Sequence, residues 1–382
     1  MKNARGLLVA LLVTSIFWPG FALAIGLTND KRAEARRIVE KTLRPRGEGT
    51  PAQAPALSLA IGVQGAPVML EGFGEAAPGV AAKADTRYRI GSVTKQFTAA
   101  AILQLVEAGA VSTFSGKALT LDIAAADLFP GVEAWTVAGQ NPITLRSLLN
   151  MTSNLPNFTR RPPKGTNPWG KVEAGQLLAA IKAQSPSGWP NSFEYSNTSY
   201  FLAAEAIDSL SIPGRAGTTN YREILTSTLF SRAEMVGTGF VGDSTDTADM
   251  AMPLFKRRPA FAESDWLKGS GDIVSTAPDL LKWDAALMQG KILSPGMMEE
   301  MFKEGGRIAP TTSYGMGWVI AEESGWAIYS HTGSVAGYTS CNAIARRVGG
   351  SEWISVTLLT NSDGVEGLDI LADDLLRLVR TE

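Results

Sequence analysis

The chain has 382 residues, 45% of them apolar and 19% charged, with a formal net charge of −2. That is an ordinary globular composition, long enough for a large core in one domain or two closely joined ones. The near balance of charge gives no electrostatic reason to expect a nucleic-acid partner. A single histidine, His331, excludes a metal site built on several histidines, and nothing in the sequence asks for a cofactor.

In chain order, Lys2 and Arg5 precede the apolar run 6–18, and Ala22-Leu23-Ala24 has the small-x-small form of a cleavage site. This reads as a secretory signal peptide over residues 1–24, cleaved after Ala24. The run is shorter than the ~20 residues a spanning helix needs. The expected product, residues 25–382, is periplasmic or secreted and has no integral membrane segment. Asn29 to Thr42 is patterned as an amphipathic helix. Leu57 to Val63 and Pro67 to Phe73 are apolar runs joined by Gln64-Gly65-Ala66, a predicted hairpin. Ser92 to Ala108 is apolar on nearly every face and therefore reads as a core helix, with Gly109 as its C-terminal cap.

The middle of the chain has helical stretches at Leu145 to Met151, Gly175 to Ala183, Tyr200 to Leu210, Tyr221 to Phe230 and Ala277 to Met288. The segments Arg160 to Lys171 and Lys256 to Pro259, rich in Pro, Gly and basic residues, read as solvated loops; the alternative is a basic rim for anionic substrate. Strand-like runs follow at Met316 to Ala321, Trp326 to His331, Tyr338 to Ala345 and Trp353 to Thr360, then a closing helix at Leu368 to Arg380. Cys341, the only cysteine, lies in one of these runs and reads as a buried, inert thiol. Strands at both ends with helices between them predict an α+β fold. One antiparallel sheet would draw on residues 30–85 and 312–382, flanked by helices, with a mostly helical part at 86–311.

Three short motifs carry chemistry. Ser92-Val93-Thr94-Lys95 places an amine one helical turn from a hydroxyl. A serine needs a base to become a nucleophile, and a lysine shifted by burial can be that base. Tyr195-Ser196-Asn197 is expected on a loop. Its phenol would have its pKa lowered by the lysine ammonium and so move protons, and its amide would hold a substrate carbonyl or N–H. His331-Thr332-Gly333 is expected at the end of a strand whose edge could bind an extended substrate. The Ser334 N–H would join that of Ser92 as an oxyanion hole.

In this order the motifs resemble those of the penicillin-recognising serine hydrolases: class C β-lactamases, low-molecular-mass DD-peptidases, and the esterases and D-aminopeptidases on the same scaffold. The resemblance extends to Tyr88-Arg89-Ile90-Gly91, to Ile143-Thr144-Leu145-Arg146, to Thr152-Ser153-Asn154-Leu155-Pro156, and to the segments starting at Gly271 and Tyr314 and that at Leu359-Thr360-Asn361-Ser362. It implies Ser92 as nucleophile, Lys95 and Tyr195 as proton carriers, and Asn197, His331, Thr332, Gly333 and Ser334 as substrate-binding residues. The implied activity is a D-alanyl-D-alanine carboxypeptidase or related D-peptide hydrolase. The alternatives are a carboxylesterase, a weak class C-like β-lactamase, or a catalytically decayed penicillin-binding or sensory module. The partner is then a small peptide, ester or lactam; the oligomeric state is left open. Two departures stand out. His331 replaces the lysine usual in β-lactamases, and Asn154 replaces a glycine, where Asn tolerates a left-handed backbone.

Overall fold

A computed structural model describes residues 27–44, 55–132, 135, 142–186, 192–243, 250–254, 264–335, 337–363 and 365–380. The expected signal peptide and the segment 256–259 lie outside the described residues. No helix among the described residues is long and apolar enough to cross a membrane.

The expected α+β architecture is present, organised on an eight-stranded antiparallel sheet. Its strands are β1 (Leu57–Val63), β2 (Ala66–Phe73), β3 (Gly306–Ala309), β4 (Thr312–Tyr314), β5 (Val319–Glu323), β6 (Trp326–Val335), β7 (Tyr338–Arg347) and β8 (Trp353–Thr360). Their spatial order is β3-β4-β5-β6-β7-β8-β1-β2, so the two ends of the chain meet where β8 pairs with β1. The β1–β2 hairpin turns through Gln64 and Gly65, at φ 53° and 84°, as a two-residue turn between twisted strands requires.

The central strands are apolar on both faces because helices cover both. In β8, Ile354, Val356 and Leu358 face a core closed by α1 (Asn29–Leu43) and the C-terminal helix α5 (Leu368–Arg380). Trp353 and Leu359 face the larger core on the other side, with α2 (Thr94–Glu107), α3 (Asn197–Asp208) and α4 (Ala277–Met288). Cys341 is buried in the first core, where burial pushes its thiol far up, as an inert thiol should be.

Three differences from the sequence reading bear on function. First, α3 begins at Asn197, three residues before its apolar repeat. The polar side chains of that extra turn are satisfied inside the core: Thr198 Oγ1 donates to Pro156 O at 2.7 Å, and Ser199 Oγ pairs with Ser153 Oγ at 2.9 Å. Second, Tyr221 to Phe230 is one α-turn, Tyr221–Ile224, followed by a π-helical segment, Leu225–Phe230. Third, β6 does not stop at His331 but runs on to Val335. The β5 ladder ends at the pair Val319 and Ser330, while β7 pairs with β6 as far as Val335.

The sidedness of α5 gives a stability test. Leu375 is fully buried, whereas Ile370 on the same helix is 65% exposed. Leu375→Ala is expected to lower unfolding free energy by about 2–5 kcal/mol, and Ile370→Ala to change it by no more than about 0.5 kcal/mol. Urea denaturation of the two variants checks the contrast.

Candidate active site

The Ser92 turn is a short 3-10 segment, Gly91–Val93, that feeds directly into α2. Ser92 therefore stands at the head of a core helix, partly exposed, while Lys95 one turn on is fully buried. The helix is held rigidly at its far end. Gly109, at φ 63°, lets its own N–H bond Val106 O and the N–H of Ala110 bond Leu105 O, the Schellman arrangement. Gly317, at φ 85°, lets the chain lie against the Lys95 backbone; a Cβ there would stand 2.8 Å from Lys95 O.

The Lys95 amine has three neighbours. Nζ lies 3.1 Å from Ser92 Oγ, 2.7 Å from Asn197 Oδ1 and 2.8 Å from the carbonyl oxygen of Ser270. The last two are pure acceptors. A neutral amine has two N–H groups to give them and one lone pair left, and that lone pair faces the serine hydroxyl. Burial favours this state: it drives the Lys95 amine well below the ordinary lysine range, with Asp272 pulling the other way.

Tyr195 lies beside the same pair. Nζ of Lys95 is 4.9 Å from its ring centroid, and its phenol is hydrogen-bonded to the Ser92 side chain. The expected lowering of its pKa is overturned: burial raises it instead, with the Ser92 hydrogen bond opposing. A lysine that is itself pushed towards neutrality supplies no fixed positive charge, so Tyr195 keeps its proton. The turn at Met151 clamps the segment from both sides. Met151 O accepts from Glu194 N–H at 2.9 Å and its Sδ from Ser196 N–H at 3.3 Å. This turn uses left-handed backbone at Met151 (φ 61°) and at Asn154 (φ 54°), the latter as its residue type suggested.

Asn197 stands on the first turn of α3 rather than on a loop. Both ends of its amide are engaged within the protein: Oδ1 by Lys95, and Nδ2 by Thr159 Oγ1 at 2.9 Å. Thr159 had no signal of its own, though it directly precedes the basic loop at 160–171.

On the opposite side, β6 brings Thr332, Gly333 and Ser334 against the Ser92 turn. A Cβ at Gly333 would stand 2.1 Å from Ile90 O and 2.9 Å from Ser92 N; one at Gly91 would stand 3.0 Å from Ser334 N. Only glycines permit this approach, which sets the Ser92 and Ser334 amide nitrogens across one narrow gap. Ser340 Oγ on β7 ties the arrangement by donating to Ile90 O at 2.7 Å.

His331 departs from its expected place on the wall facing substrate. Its ring is 4% exposed, and both nitrogens are occupied. Nδ1 lies 2.6 Å from Thr332 O, which can only accept, so Nδ1 carries the proton. Nε2 then accepts from Tyr314 OH at 2.9 Å. Burial lowers the His331 pKa to about 3. Tyr314 and Tyr200 complete an aromatic shell about the amine and the imidazole; Nζ of Lys95 is 5.6 Å from the Tyr200 ring. Sequence reasoning quoted the Tyr314 and Gly271 segments but assigned no role to Tyr314, Ser270 or Asp272.

Comparison with known proteins agrees with this geometry. A family model described as Beta-lactamase matches residues 39–381. The chain belongs to the beta-lactamase family. The family is one of serine hydrolases, and relatives of the chain are named as penicillin-binding proteins. One relative is a putative penicillin-binding protein, PbpX, of Bacillus subtilis (strain 168). It is 28% identical over 272 residues, which are 68% of this chain and 59% of the relative, so the chain spans less than two thirds of that protein's length. Among solved structures, D-amino acid amidase from Ochrobactrum anthropi SV3 matches with a TM-score of 0.71 at 23% identity, covering 92% of this chain and 98% of that one. A D-stereospecific amidohydrolase from Streptomyces sp. matches with a TM-score of 0.69 at 24% identity, covering 90% and 98%. At these identities the two structures establish the shared fold.

The state of His331 has a measurable consequence. Folding depresses its pKa, so the folded chain refuses a proton that the unfolded chain accepts below about pH 6.5. Stability should fall as pH drops through that value. Between pH 7 and pH 5 the wild type is expected to lose about 2 kcal/mol more than His331→Gln, read by chemical denaturation at the two pH values.

Proposed function

We propose that this protein is an exported serine hydrolase that cleaves D-configured peptide or amide bonds through an acyl-enzyme on Ser92, with D-alanyl-D-alanine carboxypeptidase as the leading activity. The observation that carries the reading is the contact set of Lys95 Nζ: two acceptors that use its N–H groups and one hydroxyl that meets its lone pair. The D-amino acid amidase and the D-stereospecific amidohydrolase that share the fold support the substrate class.

In this mechanism Lys95 takes the Ser92 proton as Oγ attacks the substrate carbonyl. The Ser92 and Ser334 N–H groups hold the developing oxyanion. Tyr195, which keeps its phenolic proton, gives it to the leaving nitrogen as that bond breaks, and the Lys95 ammonium restores it. Water then attacks the acyl-enzyme and gives a proton to Lys95, which returns it to Ser92 Oγ as the acyl–oxygen bond breaks. Asn197 keeps the amine aimed at Ser92, while Thr332 and Gly333 form the wall along which an extended substrate lies.

One observation favours a second reading. His331 is neutral and turned inward, so it offers no cation for a substrate carboxylate. That suits an amide or short ester better than an acid-ended peptide, and it argues against efficient β-lactam turnover. Intact-mass analysis after parallel incubation with a penicillin, a D-Ala-D-Ala peptide and a short ester ranks these chemistries. An acyl adduct on Ser92 with at least one reagent is expected, absent in Ser92→Ala, and slowed about 10²–10⁴-fold in Lys95→Ala. Turnover of any of them by Ser92→Ala at the wild-type rate would sink the acyl-enzyme.

A further inference from the structure

Against the amine, and in contact with the turn that leads into Ser92, runs the segment 267–273; Ile90 N–H donates to Ile273 O at 3.0 Å. The segment meets α2 on successive turns. Ile273 N–H donates to Thr94 Oγ1 at 3.3 Å, Ser270 O accepts from Lys95, and Gly269 O accepts from Thr98 Oγ1 at 2.8 Å. Asp272 closes this turn on itself. Its Oδ1 accepts from Gly269 N–H at 3.1 Å and from Tyr221 OH at 3.1 Å, and its side chain is almost fully buried. Gly269, at φ 70°, lies so close to α3 that a Cβ there would stand 2.5 Å from Ala204 Cβ. The turn therefore has no slack, and the carboxylate is its internal fastening.

We propose that Asp272 is a positioning residue for Lys95: it fixes the turn that aims the Ser270 carbonyl at the amine, and its buried negative charge sets the pH range over which that amine works. The inference rests on Lys95 being the base, as proposed above. The physical need is clear. Full burial alone would make the amine too weak an acceptor for a serine proton, and a general base works best with a pKa near the operating pH. A carboxylate behind the turn restores part of the lost basicity without touching the amine.

The surrounding groups leave Asp272 as the source of that pull. The side chains about Lys95 are the phenols of Tyr195 and Tyr200, both raised by burial and therefore neutral, with Tyr314 and neutral His331 beyond them. About Asp272 stand Tyr221, also held neutral, and Arg222, whose charge favours the carboxylate. Lys268, whose amine lies 5.9 Å from the Tyr221 ring, is paired with Glu205 and Asp208. Burial brings the Asp272 carboxyl up to about 6, so its charge is present at neutral pH and fades on acidification.

The test is the pH dependence of Ser92 acylation by a fluorescent penicillin and by p-nitrophenyl butyrate, in wild type and Asp272→Asn. Without the charge, the amine becomes deprotonated at lower pH. The midpoint of the acid limb is expected to fall by about one pH unit, so that on the wild-type limb the variant acylates up to about tenfold faster. Asp272→Ser, a smaller neutral acceptor, repeats the test if the amide disturbs folding. A purely structural role would lower rate or melting temperature with the limb in place. A folded neutral variant whose limb is unmoved, or moves upward, overturns the proposal. Absence of a Ser92 adduct in the wild type with both reagents overturns the acyl-enzyme reading and this inference with it, and is told apart because it appears before any substitution.

Discussion

The structure is organised around one buried amine. Among the described residues Lys95 is the only fully buried lysine or arginine, and an ammonium in that position is costly unless every proton is matched. The protein resolves the cost by favouring the neutral form and supplying two acceptors from distant parts of the chain, Asn197 and Ser270. Everything else in the site follows from holding those acceptors still. The Met151 turn clamps the Tyr195 segment that leads into α3, Asp272 fastens the turn that carries Ser270, and Gly317 brings the chain down onto the Lys95 backbone.

The same desolvation accounts for the opposite behaviour of neighbouring groups. It lowers the bases Lys95 and His331 and raises the phenols Tyr195, Tyr200 and Tyr314, because in each case the neutral form is the cheaper one to bury. The result is a site with a hidden base, a protonated phenol and a reachable hydroxyl, and with little fixed charge. In the proposed mechanism, division of labour between Lys95 and Tyr195 then needs no charge relay: one group can accept and the other can donate. His331 belongs to the frame. Its ring braces β6 through Tyr314 and its own neighbour's carbonyl, while Gly333 gives β6 the clearance to reach Ser92.

How much was legible beforehand can be judged residue by residue. The β1–β2 hairpin, β8, α4 and α5 were read with nearly their observed bounds, because apolar periodicity and turn residues are local signals. The start of α3 was missed because Asn197, Thr198 and Ser199 are poor helix formers whose side chains find partners only in the folded core. The length of β6 was missed because Gly333 looked like a terminus, whereas it is a point of close approach to the Ser92 turn. The lowered Tyr195 pKa was expected from proximity to a cation; burial of both groups reversed it.

The sequence by itself determined that Ser92 and Lys95 share one face of one helix, since three residues is almost a turn. It also settled the α+β class, and it put a lone histidine where a fixed cation is more usual. Tertiary structure alone decided what the lysine does. Its protonation depends on burial and on a carbonyl 175 residues away, on an amide in another helix, and on a carboxylate to which the sequence assigned no role. Those are long-range quantities of solvation and distance, and a chain read one residue at a time holds no record of them.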